Sequence, residues 1–157
     1  MEPHHVPVSI LIPTYNEERN LTACLESVVW ACEVIVVDSY SQDGTENIAI
    51  GHGAQFIQHP FENYAAQKNW ALDSLEFSQE WVLIMDADER VSPELAVEIA
   101  GVVERDQSSR PVGYYINRRF IFMGRWIRHC GWYPSWNLRL FRRGEARYEE
   151  RPVHEHM

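Results

Sequence analysis

An apolar run that ends in clustered carboxylates decides most of what this chain can become. Trp81, Val82, Leu83, Ile84 and Met85 follow one another without a polar break. Such a run reads as a strand covered on both faces, as in a parallel sheet. It gives way to Asp86-Ala87-Asp88-Glu89, three carboxylates in four positions. In open α/β sheets, ligands bind beyond the carboxyl ends of the strands. Strand alternation would direct Asp86 and Asp88 to one side, where their repulsion calls for a cation or a donor-rich ligand. Mg²⁺ or Mn²⁺ carrying a diphosphate meets that need, because both favour hard oxygen ligands. The same residues also suit a solvated acidic turn ahead of the helix announced by Ser92-Pro93-Glu94.

The flanking segments place this run in a larger pattern. Residues 8–12 form a short apolar strand, stopped by Pro13. Asn16 then reads as a helix N-cap, with Glu17 and Glu18 in the first turn. Leu21, Cys24, Leu25, Val28 and Val29 recur at helical spacing and give that helix one core face. Residues 34–37 form a second buried strand, followed by a loop over 38–45. A short helix over 45–50 is ended by Gly51 and Gly53. A weaker strand covers 54–58. A helix over 63–75 turns Ala65, Asn69 or Ala71, Leu72 and Leu75 inward, and another, capped by Ser92 with Pro93 at its first position, runs to about residue 105. This alternation implies right-handed βαβ units and an α/β fold with a mainly parallel sheet flanked by helices. After Arg110-Pro111 the texture changes to β segments at 113–122 and 137–142, with turns at Gly124, Gly131 and Gly144.

Charge divides the chain at the same place. Residues 1–109 hold four Lys/Arg against nineteen Asp/Glu, and residues 110–157 hold ten against four. An acidic first part is a poor partner for nucleic acid. The second part, rich in Trp and Tyr as well, is suited to an anionic partner. No apolar run approaches the roughly 20 residues of a membrane span, and the start lacks the regions of a signal peptide. Three scattered cysteines, Cys24, Cys32 and Cys130, read as reduced, buried and inert thiols of a cytoplasmic protein.

Three strand ends carry polar groups: Thr14-Tyr15-Asn16-Glu17, Asp38-Ser39 and Asp86-Ala87-Asp88. In a parallel sheet they line one crevice. Neither GxGxxG nor GxxxxGK[ST] is present, so a phosphate cradle of either kind is missing. A nucleotide would be held instead by base and ribose contacts, with its phosphates carried by a metal on Asp88. Each group also has a plainer use. Pro13 and Asn16 serve as strand stop and cap, and Asp38 suits a loop acid bonding local backbone amides. Lys68, near Glu62 and Asp73, suits a solvated lysine. Trp126, Trp132, Tyr133 and Trp136 are too close together to be all core.

The sequence Val-Ser-Ile-Leu-Ile-Pro-Thr-Tyr-Asn-Glu-Glu, then Val-Ile-Val-Val-Asp-Ser-Tyr-Ser-Gln-Asp-Gly-Thr, then Met-Asp-Ala-Asp-Glu resembles family 2 glycosyltransferases. Gln67-Lys68-Asn69-Trp70 and Val153-His154-Glu155 resemble the bacterial branch that builds lipopolysaccharide core. The resemblance implies the GT-A fold and transfer of a sugar from a nucleotide-diphosphate donor to an acceptor hydroxyl with inversion. It implies Pro13, Thr14, Tyr15 and Glu17 beside the base and ribose, and Asp38 bonded to the base. Lys68 would lie near the diphosphate, Asp86 near the ribose, and Asp88 on a Mn²⁺ or Mg²⁺ ion. Glu155 would be the catalytic base. Residues 1–109 would then bind the donor, and residues 110–157 would form the acceptor side of the same domain. Seven arginines between 118 and 143 would face a glycan or glycolipid acceptor, with a peripheral contact at the inner, anionic face of a membrane. Two other readings fit the same residues: a nucleotide-sugar binding module without turnover, and a nucleotidyltransferase, which the missing basic phosphate loop disfavours.

Overall fold

The computed structural model describes residues 5–105 and 111–149. In chain order the elements are β1 (Val6–Thr14), α1 (Leu21–Glu26), β2 (Ala31–Asp38), α2 (Thr45–Gly51), β3 (Gln55–Gln58) and α3 (Tyr64–Ser74). They continue with β4 (Trp81–Ile84), α4 (Pro93–Val103), β5 (Gly113–Asn117), β6 (Ile121–Phe122), β7 (Arg125–Trp126) and β8 (Trp136–Arg142). Six strands form one sheet in the order β3-β2-β1-β4-β8-β5, and β6 and β7 form a separate ribbon. The first four strands are parallel, while β8 runs antiparallel to both its neighbours.

The apolar runs are explained by two-sided burial. Val8, Ile10 and Ile12 of β1, with Trp81 and Leu83 of β4, pack under α1, α2 and α4. Leu11, Ile35, Val37, Val82 and Ile84 point the other way, toward α3 and Phe141. Successive residues of a strand thus enter opposite layers, and the polar residue within the β1 run, Ser9, is buried and donates to Glu33. At the far edge, β5 lies close against β8. A Cβ on Gly113 would stand 2.9 Å from Leu138 Cδ1 and 3.2 Å from the Leu140 carbonyl, so a larger residue would have to displace both for this approach to hold.

Several boundaries differ from the sequence expectation. β1 continues through Pro13, which pairs with Val37, to Thr14. Leu11 accepts from Met85 N, so by the ladder's alternation the N–H that Pro13 lacks would face β4, beyond the last paired residue of that strand. Proline therefore costs the ladder nothing here. Asn16 is not a helix cap: α1 begins only at Leu21, after Asn20, and carries no acid in its first turn. Val29 is exposed, because α1 ends at Glu26 and the chain turns into β2. Ser92 caps α4 as expected, accepting from Leu95 N at 3.3 Å, and Asn63 caps α3, accepting from Ala66 N at 2.8 Å. Cys24 is buried, whereas Cys32 and Cys130 are exposed, and all three are free thiols. Burial pushes the Cys24 thiol up to about 12.

Candidate functional site

The carboxyl ends of β1, β2 and β4 lie side by side, and the loops after β1 and β2 are knotted together by side chains. Asn16 N donates to Ser41 Oγ at 2.7 Å, and Asn16 Oδ1 accepts from Gln42 N at 2.8 Å. Glu17 N donates to Thr45 Oγ1, and Glu18 accepts from Gly44 N. Asn16 and Tyr40 both have positive φ, 53° and 59°. Asparagine tolerates that conformation; a tyrosine there is held by its surroundings.

Asp38 belongs to this fastening. It is fully buried, and its oxygens accept from Thr14 Oγ1 at 2.9 Å, Ser41 N at 2.8 Å and the Ser41 hydroxyl. With both oxygens so engaged, Asp38 bonds local donors in the manner of a loop acid. Thr14, equally buried, is turned toward Asp38. Pro13 is half-buried in the sheet and Glu17 half-buried beside Asn20, whose amide donates to Glu17 Oε2. Tyr15 is 60% exposed and is the open surface of this loop.

The acidic segment after β4 is a turn, not a continued strand. The strand ends at Ile84, and Glu89 N donates to the Asp86 carbonyl at 2.9 Å. Turn geometry, in place of strand alternation, presents Asp86 and Asp88. The turn is locked from within, since Glu89 Oε2 accepts from Asp86 N at 2.9 Å. It is locked from outside by Arg139 of β8, which reaches Asp86 Oδ2 at 3.1 Å and Glu89 Oε1 at 3.2 Å. Lys68 of α3 stands 3.6 Å from Asp86 Oδ1. Burial disfavours the charged form of Asp86, but Arg139 and Lys68 override it and hold its carboxyl below the usual carboxylate range. Burial likewise works against the Arg139 cation, and Glu89 and Asp86 more than compensate, raising its affinity for the proton.

Lys68 is no solvated lysine: it is 4% exposed, and its ammonium lies 4.9 Å from the centre of the Tyr148 ring. Its helix is buried on a polar face. Gln67 donates to Ser39 Oγ at 2.7 Å, and Asn69 exchanges two bonds with the backbone of Tyr148 at 2.9 and 3.0 Å. Arg139, Glu89, Gln67, Asn69 and Tyr148 are site residues that the sequence reading did not single out as such. A charged residue inside the apolar β8 run, and three polar residues in a row on a helix with buried neighbours, were the signals available.

Asp88 differs from Asp86. It is exposed, and among the described residues no partner takes its carboxylate. Among those residues no cluster of three or more His, Cys, Asp or Glu could enclose a metal. A single open carboxylate suits an ion that keeps several waters and takes its other ligands from phosphate oxygens, which is how Mg²⁺ is commonly bound beside a nucleotide. Asp88 therefore fits the expected cation. Glu155, with His154 and His156, lies outside the described residues.

A family model described as glycosyl transferase family 2 matches residues 9–155. Lipopolysaccharide core biosynthesis glycosyltransferase LpsC of Rhizobium meliloti is 35% identical over 161 residues, covering 96% of this chain and 56% of that protein. An uncharacterized glycosyltransferase of Rickettsia typhi is 37% identical over 118 residues, covering 74% of this chain and 40% of that protein. The chain thus spans about half the length of the curated relatives it matches. Among solved structures, mannosyltransferase PcManGT of Pyrobaculum calidifontis, in complex with GDP-Man and Mn²⁺, aligns with a TM-score of 0.56 and 25% identity over 73% of this chain and 36% of its own. S. aureus TarS 1–349 aligns with a TM-score of 0.50 and 28% identity, over 62% of this chain and 32% of its own.

Proposed function

Because this chain belongs to glycosyl transferase family 2 and has a GT-A type fold, we propose that it moves a sugar from a nucleotide-diphosphate donor to an acceptor hydroxyl with inversion. The observation that carries this reading is the turn after β4. Arg139 and Lys68 engage Asp86, while Asp88 stays open at the mouth of the crevice. A donor laid across the three strand ends would meet Tyr15 with its base and the Asp86–Asp88 turn with its ribose and diphosphate. Lys68 and Arg139 give that end of the crevice positive charge to set against phosphate oxygens. Asp88 is the residue that would hold Mn²⁺ or Mg²⁺, and such an ion offsets charge developing on a diphosphate leaving group. Asp38 serves as a positioning residue, keeping the first two loops in register. Glu155 is assigned the proton of the acceptor hydroxyl, and Tyr148, seven residues before it, packs on Lys68 at the site.

The similarity to a protein named for lipopolysaccharide core biosynthesis supports a glycan or glycolipid as acceptor. A glycolipid acceptor would bring the chain to the cytoplasmic face of a membrane, where its basic part would make a peripheral contact with anionic lipid. No described helix is long and apolar enough to cross one.

Titration of UDP and GDP in Mn²⁺ and in EDTA tests the core of this reading. Affinity for one of them should be roughly ten- to a hundredfold higher with Mn²⁺, the usual size of coupling between two ligands. Asp88→Asn should remove that difference and leave the fold intact, because its side chain is exposed and has no partner among the described residues. Equal affinity in Mn²⁺ and EDTA would refute the metal role.

A further inference from the structure

We propose that the β6–β7 ribbon is a membrane-docking hairpin whose apolar tip enters the surface of a bilayer containing anionic lipid. This deepens the peripheral contact suggested above and rests on that part of the reading, while standing apart from sugar transfer itself.

The seven arginines between 118 and 143 are not equivalent. Arg118 and Arg139 reach Glu89, Arg142 reaches Glu80 at 2.7 Å, and Arg143 donates to the Phe77 carbonyl. These four hold the second part of the chain on the acidic first part. Arg119, Arg125 and Arg128 remain, all exposed, and among the described residues no carboxylate lies within ion-pair distance of them. Residues 111–144 contain no Asp or Glu at all. Among the described residues Arg125 and Arg128 therefore present uncompensated positive charge, Arg119 is offset in part through space by Glu94 of α4, and the three sit together on one hairpin.

At the tip of that hairpin the apolar residues face outward. Ile121, Phe122 and Met123 are 62, 65 and 87% exposed. Ile121 pairs with Trp126 and Phe122 with Arg125 across a two-residue turn, Met123-Gly124, in which both φ angles are positive. That turn holds two strands in their natural twist and needs no further support at the apex. Behind the tip, Trp126 has Arg128 at 4.1 Å and Arg119 at 4.9 Å from its ring centre, and Trp132 packs on Phe120. An apolar tip, then an indole collar with guanidinium groups, matches the order of a bilayer surface read from acyl chains outward to headgroups. A second copy of the chain is a poorer occupant. A stable protein interface engages roughly 20–30 residues a side, and this strip is one narrow ribbon with like charges along it.

The fold also aims the ribbon. β8 runs opposite to β4, and β5 opposite to β8, so β5 ends and β8 begins on the edge where β1, β2 and β4 end. The ribbon hangs from that edge, and at its root Arg118 Nη1 lies 3.4 Å from Glu89 in the acidic turn. Seating the tip in a membrane would bring the crevice mouth to the headgroup layer, where the hydroxyls of a lipid-linked acceptor lie.

Co-sedimentation of the full chain with phosphatidylcholine vesicles, with and without phosphatidylglycerol, tests the proposal. The wild type should bind the anionic vesicles and release as salt is raised. Arg119→Gln/Arg125→Gln/Arg128→Gln should weaken binding about fivefold per arginine, on the order of a hundredfold in all. Phe122→Ser/Met123→Ser should weaken it roughly tenfold or more, and that loss should persist at high salt. Arg142→Gln, outside the set, should bind as wild type does. Quenching of wild-type tryptophan fluorescence by lipids brominated in the acyl chains needs no variant and should accompany binding. Hairpin variants that bind like the wild type, or bound protein without quenching, would overturn the hairpin's role and leave peripheral contact standing. A wild type that ignores anionic vesicles would overturn both. Self-association in solution abolished by Phe122→Ser/Met123→Ser, without vesicle binding, would assign the face to a second copy and overturn the proposal. Nucleotide titration uses no lipid, so failure of the sugar-transfer reading shows separately.

Discussion

Two aspartates at strand ends on either side of β1 are put to opposite uses. Asp38 is sealed in by hydroxyls and an amide, whereas Asp86 faces two cations beside the open Asp88. The carboxyl of Asp86 titrates below the usual range despite its burial, because Arg139 and Lys68 favour the ion. Its contribution to stability is thus complete above the unfolded carboxylate value, about 3.9, and is lost as pH falls through the lower folded value. Thermal melts of wild type and Asp86→Asn should differ at neutral pH and converge in acid below about pH 4; curves that stay parallel would mean the charge is not what stabilises. Glu155→Gln should bind donor normally and lose about 10²–10⁴ in transfer rate, and near-normal turnover would move the base elsewhere. The sequence marks which residues are polar at the strand ends, but not which of them spend their bonds on the protein. The partners of Asn16 and Ser39, Gln42 and Gln67, lie on a loop and a helix whose approach no local pattern records, whereas the bond from Ser41, three residues on, is the local use that the sequence did offer for Asp38.

Strand and helix identities were legible through α4, because an apolar run buried on both faces and a capped helix each leave a trace, but the β run expected over 113–122 is divided into β5 and β6, and β7 was not foreseen. The ends were less legible. Pro13 looked like a stop, yet it lies where β1 has outrun β4 on the side of its missing N–H, so the strand continues. The role of β8 was the larger omission. Its segment read as β, but nothing local says that it inserts between β4 and β5 and delivers Arg139 to the acidic turn. Arg139→Met should cost roughly 1.5–3 kcal/mol, the range for hydrogen bonds to charged groups, and should weaken Mn²⁺-dependent nucleotide binding by freeing the turn. Arg139→Lys should not restore either property, since Nη2 of the guanidinium meets both carboxylates while Nη1 reaches the Ile84 carbonyl, and a shorter, single-headed ammonium cannot hold all three. A lysine variant equal to wild type in urea midpoint would show that only the charge matters.

The acidic and basic parts of the chain share one sheet, with β8 hydrogen-bonded to β4 along Leu140, Phe141 and Arg142. Phe141 is fully buried in the same layer as Val82 and Ile84. We therefore expect a single unfolding transition. Urea curves followed by tryptophan fluorescence and by far-ultraviolet dichroism should coincide, and a chain cut after residue 105 should lose that transition because β4 would become a bare apolar edge. Two separate transitions would mean that the parts fold independently. The place of β8 has a further consequence, in time and not in space. During synthesis β4 leaves the ribosome long before its partner, and at the usual pace of about 5–20 residues per second the gap lasts on the order of several seconds. Through that interval β5 has no neighbour, β4 has one open side, and Asp86 waits without Arg139. Among the described strands the last to emerge is the one that joins β4 to β5 and brings Arg139 to Asp86, so a nascent chain acquires its edge protection and the ion pairs of the acidic turn in the same event.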